Sequence, residues 1–161
     1  MTVTAFDDLT YLEEVYVALF ALLQAATFAA GVKLQTSMRA FMVPDQVAPA
    51  DMPALILIEG PMHVEQKVVF GPAKWTLTAL AALYVRAEGT AAPNQSPLSV
   101  TTANSLIWGI RKAFETTPPY EKQTLGGLVV HAWIDGEVLP EVTSEQILIT
   151  VPIYMIAGPV D

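Results

Sequence analysis

A chain of 161 residues is long enough for one core, because folding at that size hides roughly 70% of the surface the unfolded chain exposes. Apolar residues make up 53% and charged residues 15%, the reverse of the charge-rich, apolar-poor composition of a disordered chain. A net charge of -8 from 16 acidic and 8 basic side chains argues against adhesion to phosphate backbones, which depends on Lys and Arg displacing counterions, and the absence of cysteine excludes disulfides and thiolate metal sites.

So few charges give an isolated subunit a charge-poor surface, part of which is expected to meet other chains. The most apolar stretch, residues 15–30, is interrupted by Gln24 and Thr27 and preceded by Asp7, Asp8, Glu13 and Glu14. A signal peptide would carry positive charge there, so the expectation is a soluble helix and not an export signal. Thr10 and Glu13 have capping-box spacing and predict the helix start. Leu12, Tyr16, Leu19, Leu23 and Ala26 recur at helical spacing, and Gly31 is expected to close the helix in a left-handed conformation.

Residues 32–41 mix β-branched and polar side chains and predict a short strand carrying Lys33 and Arg39 outward. Pro44, Pro49 and Pro53 predict a loop, because each removes a ladder donor. Residues 54–59 read ALILIE, a strand buried on both faces and central in a sheet, closed by Gly60 and Pro61. Residues 64–70 continue in strand-like chemistry, and Gly71 with Pro72 turns the chain into residues 74–86, the longest strand candidate. There Trp75, Leu77, Ala79, Leu83 and Val85 share parity and are expected to share a face.

Residues 88–97 predict a Pro, Asn and Gly loop, with Ser96 and Pro97 starting a second helix. Ala103, Leu106, Ile107, Ile110, Ala113 and Phe114 form its apolar stripe, and Pro118 and Pro119 stop it. Residues 128–134, a hairpin turn at Asp135 and Gly136, and residues 147–156 complete the order. Strands joined by short turns pair antiparallel. The expected fold is therefore α+β: one domain over residues 1–161 whose mixed, mainly antiparallel sheet carries two helices packed on one face.

Catalytic signals are sparse. His63 and His131 stand in no ligand spacing, nothing places Glu59 and Glu65 across a substrate, and Gly126 with Gly127 lacks the lysine and spacing of a phosphate loop, so a turn into a strand is expected there. No cofactor, no metal and no enzymatic activity are expected. Trp108 lies off the apolar stripe, near Arg111 and Lys112, as an aromatic residue at a subunit contact or at the edge of its own core would.

Several stretches together resemble phage tail terminator proteins of prophages and long-tailed phages: EEVYVALFALLQ, PALILIEG, KWTLTALAALYVRAEG, NSLIWGIRKAFE, QTLGGLVVHAWIDGEV and QILITVPIYMIAG. The likeness spans nearly the whole chain, and its most specific parts are the tryptophan strand and the TLGGLVVHAWIDGEV segment. It carries over no active site. It implies a virion protein that assembles in the host cytoplasm as a homo-oligomeric ring, commonly hexameric, on the head-proximal end of the tail tube. Such a ring halts tube polymerisation and offers a surface for head joining. The implied partners are further copies of the chain, the tail tube protein and a head-tail connector or completion protein, with no membrane.

DNA would pass through the ring without specific binding, and like charge in the lumen would prevent adhesion. The candidate lumen acids are Glu59, Glu65 and Glu121. The candidate contacts to subunits or tube are Trp108, Arg111, Lys112, Asp45, Asp51, Glu88 and Asn94, the loop residues among them lying in the proline-bearing segments 44–53 and 88–97. The alternatives are another head-tail connector or tail-completion ring subunit and, from a different class, a small ligand-binding α+β domain.

Overall fold

Thirteen residues, alternately buried from Leu77 to Leu80 and continuously buried from Ala81 to Val85, form β3 (Lys74–Arg86), the strand around which the rest is arranged in the computed structural model. The structure describes residues 8–40, 43–45, 47–67, 73–87, 98–116, 118, 121–143 and 145–158. In chain order the other elements are α1 (Asp8–Gln24), β1 (Thr36–Ala40), β2 (Ala54–Glu65), α2 (Leu98–Ala113), β4 (His131–Ile134), β5 (Leu139–Val142) and β6 (Gln146–Ala157). The sheet runs β1-β2-β3-β6-β4, and β5 also pairs with β6. Among the described residues only β1 against β2 is parallel, so the fold is α+β with a mixed, mainly antiparallel sheet.

Strand alternation divides the buried side chains between the two faces of the sheet. On one face, Leu55 and Leu57 of β2, Leu77, Ala79, Ala81, Leu83 and Val85 of β3, and Ile149, Val151 and Ile153 of β6 form a single core with Val15, Leu19 and Leu23 of α1 and Leu106 and Ile110 of α2. Both helices thus cover that face, and Trp75 packs at its margin, as its parity with Leu77 requires. The opposite face carries a smaller cluster of Ala54, Ile56, Ile58, Ala82, Tyr84 and Leu148, closed by Met52, Val43 and Val47.

Several local expectations are corrected. The first helix starts at Asp8, ahead of Thr10, and ends at Gln24; Gly31, at φ +70°, closes a separate short turn. Arg39 points to the helix face, where its guanidinium reaches Glu13 and Glu59, so it is not turned outward as expected. A carboxylate at each side outweighs its exposure to water. β2 does not stop at Gly60 and Pro61 but passes through them in a bulge, with register shifting between Glu59 and Met62. The loop containing residues 68–72, and the expected turn at Gly71 and Pro72, lie outside the described residues. So do the start of the second helix at Ser96 and Pro97 and the side chain of Thr10. The second helix itself stops at Ala113, before Pro118.

Asp135 and Gly136 do not reverse the chain. β4 and β5 lie end to end along β6, pairing with residues 153–156 and 147–150, and the intervening residues bulge away. The cause is Pro152, which stands opposite the bulge and has no N–H to offer it; its carbonyl accepts the Asp135 N–H at 3.3 Å. Gly136 adopts φ +110° there, and a β-carbon on it would lie 3.1 Å from the Pro152 ring. The reversal comes later, where the Thr143 N–H reaches the Gln146 carbonyl at 2.9 Å. Residues 125–128 form a turn before β4, with Gly126 and Gly127 at positive φ, as TLGGLV predicts, so the fourth strand begins at His131 and not at Leu128.

Candidate interaction surface

The outer face of α2 follows from what holds its inner one. Ala103, Leu106 and Ile110 are buried, and Gly109 brings the helix so close to residues 27 and 28 that an added β-carbon would overlap the Phe28 ring and stand 2.8 Å from the Thr27 carbonyl oxygen. This anchoring turns Trp108 outward, where it is 43% exposed. The Lys112 ammonium sits 5.6 Å from its ring centroid, within cation–π range, and also pairs with Glu115 at 3.0 Å. Arg111 is exposed beside it and forms no salt bridge among the described residues. Two cations in the last turn also face the negative end of the helix dipole. The structure therefore brings Trp108, Arg111 and Lys112 together as one basic and aromatic patch.

On the sheet's second face, the segment carrying Asp45 and Asp51 is a lid over half of the surface. The Tyr84 hydroxyl donates to the Pro44 carbonyl, and the buried Gln146 amide donates to the Asp45 carbonyl at 2.8 Å. Burial pushes the Tyr84 phenol up to about 12, helped by the charges of Asp45 and Glu141. Asp45 and Asp51 both have exposed side chains; Asp45 serves the fold through its backbone.

The other half of that face is half-buried and carries no such segment among the described residues. His131, Trp133 and Tyr154 stack along it, with ring centroids 4.8 and 6.0 Å apart, and burial, then the Lys122 charge, lowers the His131 pKa. A depression of about 520 Å³ adjoins Tyr154, lined by Ile58, Gly60, Leu80 and Pro152 among others. Its lining is mostly apolar, with Glu59, Thr78 and Tyr154 as its polar members.

The three candidate lumen acids are not brought together. Glu59 is half-buried and paired with Arg39. The bulge puts Glu65, opposite Lys74, on the other face of the sheet from Glu59, opposite Ala79. Glu121 is exposed, and its carbonyl accepts the Thr116 hydroxyl at 2.9 Å. Glu88 and Asn94 lie outside the described residues. Arg39 also holds the Glu13 carboxyl below its ordinary pKa through a hydrogen bond.

Sequence reading missed the β5 edge. Leu139 is 52% and Val142 72% exposed, flanked by the exposed acids Asp135, Glu137, Glu141 and Glu145. A compositional signal was available, since no Lys or Arg follows Lys122. Among the described residues no group of three or more His, Asp or Glu could hold a metal ion. No protein-family model matches the chain, and none of the curated proteins compared with it does.

Proposed function

We propose that the chain is a structural ring subunit of a phage tail, of the tail terminator type, assembled in the host cytoplasm onto the head-proximal end of the tail tube. The observation that carries this reading is the distribution of exposed large apolar side chains. Trp108 on α2, Met38 on β1, Met62 and Val64 on β2, and Leu139 and Val142 on β5 lie on separate elements. A subunit that meets neighbours on two flanks and a tube at one end needs apolar groups on several sides. The sequence resemblance supplies the tail, the tube and head joining; the spread of apolar groups supports the use of many surfaces at once.

The test is reconstitution with the cognate tail tube protein. Polymerising tube protein with and without the chain, then measuring tubes by electron microscopy, should give shorter tubes bearing a cap at one end. Tubes of unchanged length with no density at either end would overturn the reading. Binding to the portal side of filled heads, with none to tubes, would transfer the chain to the connector class.

A further inference from the structure

The chain carries two exposed patches of opposite chemistry. One is the α2 face of Trp108, Arg111 and Lys112, where Arg111 has no salt bridge among the described residues. The other is the β5 edge, where Leu139 and Val142 stand exposed among Glu137, Glu141 and Glu145, none of them in a salt bridge among the described residues. We propose that the α2 face of one copy docks on the β5 edge of a second copy. This rests on the self-association in the reading above and goes beyond it by naming both surfaces.

Three observations select this pairing. The charges are complementary: two cations end α2, whereas residues 123–161 contain acids and no Lys or Arg, and opposite potentials across an interface steer association and fix register. Each patch also carries apolar groups: Trp108 on α2, and on β5 Leu139 and Val142, which the register places on opposite faces of the sheet so that they border the edge from both sides; a desolvated aromatic anchor is the commonest energetic centre of an interface. Finally, the edge is unsuited to strand addition. The Thr143 N–H and Gln146 carbonyl bond inward, so alternation turns Val142 and Pro140 outward along β5. Pro140 has no donor to give a further strand. A helix face that docks through side chains needs none.

Because the two patches differ, the contact is heterologous: a bound pair leaves one patch of each kind free, and repetition closes a ring or extends a filament.

The absence of native cysteine gives a direct test. Asn104→Cys places a thiol on the exposed α2 face one turn before Trp108, and Val142→Cys places one on the β5 edge. Mixing the two full-length variants under mild oxidation should give a disulfide-linked dimer, and neither variant alone should cross-link. Self-linking of either variant as strong as in the mixture would mean a two-fold contact and would overturn the proposal. So would the absence of any cross-link from the mixture.

Charge reversal is the second arm. Arg111→Glu with Lys112→Glu should weaken self-association about tenfold or more, and Glu141→Lys with Glu145→Lys on the partner should restore it. Circular dichroism should show every variant folded, since all four positions are exposed. If the wild type associates and caps tubes while both arms fail, the interface is wrong and the terminator reading stands. If the cross-link forms and tubes are unaffected, the interface stands and that reading falls.

Discussion

Gly109 is the point where the placement of the Trp108 patch can be tested through stability. It sits inside α2, and in an exposed helix Gly→Ala would stabilise by about 1 kcal/mol. Here the added β-carbon would overlap the Phe28 ring and lie 2.8 Å from the Thr27 carbonyl oxygen. The ring can turn aside; the carbonyl belongs to the backbone and cannot move without shifting the segment between α1 and β1. Forcing a methyl into such a contact costs typically about 1–3 kcal/mol, and the two clashes together select the upper part of that range, about 2–3 kcal/mol, so against the helical gain of about 1 kcal/mol Gly109→Ala should lose roughly 1–2 kcal/mol. For a domain of this size that lowers the thermal midpoint by roughly 2–8 °C. Calorimetry of Gly109→Ala, Phe28→Ala and the double variant separates the two clashes. The loss should shrink without the ring but persist, because the Thr27 carbonyl remains. A midpoint that rises in Gly109→Ala would refute the claim that backbone contact, and not propensity, governs this site.

Three further outcomes are expected. Arg39→Met should flatten the acid limb of stability. Arg39 depresses the Glu13 pKa below its ordinary 4.5, so this stabilisation is complete above pH 4.5 and disappears as the pH falls through the lower folded value. Midpoints of wild type and variant measured from pH 7 to 3 should converge, and parallel curves would exclude it. Tyr84→Phe should cost about 1 kcal/mol through the lost bond to Pro44 and loosen the segment over Ile56 and Ala82 to hydrogen exchange. It should also remove one tyrosine ionising near 12; because that folded value exceeds the ordinary 10.0, the linked stability is present below pH 10 and lost as the pH rises towards 12. Gly136→Ala should destabilise by about 1–2 kcal/mol, since φ +110° is a conformation that a side chain strains. An unchanged urea midpoint would show that the bulge opposite Pro152 relaxes freely.

Burial written in local periodicity was legible. Alternation along residues 74–86 placed Leu77, Ala79, Leu83 and Val85 on one face, and the apolar run at residues 54–58 read correctly as buried on both sides. Strand continuity was harder. Gly60 and Pro61 look like a terminator, yet a bulge keeps β2 in the sheet, because the strand ahead already has its partner in β3 and a local break costs less than losing the remaining pairs. Asp135 and Gly136 look like a hairpin, yet their geometry is decided by a proline that stands opposite only after β6 has paired.

The candidate surface was legible in part, for a related reason. Trp108, Arg111 and Lys112 could be grouped because a helix places residues four apart on one face by its own geometry, with no information from elsewhere in the chain. Glu59 could not be judged that way. Its charge is met by Arg39 from the neighbouring strand and shared with Glu13 from α1, and such a triad exists only once the parallel pairing of β1 and β2 has formed. The same dependence hid the β5 edge: the residues between Gly136 and Ile147 were assigned to no element, and Leu139 and Val142 stand on an edge strand only once β5 has paired with β6. What a sequence states about an interface is therefore strongest for a single helix and weakest for a sheet edge. The proposed contact joins one surface of each kind, which is why only its α2 half was foreseen.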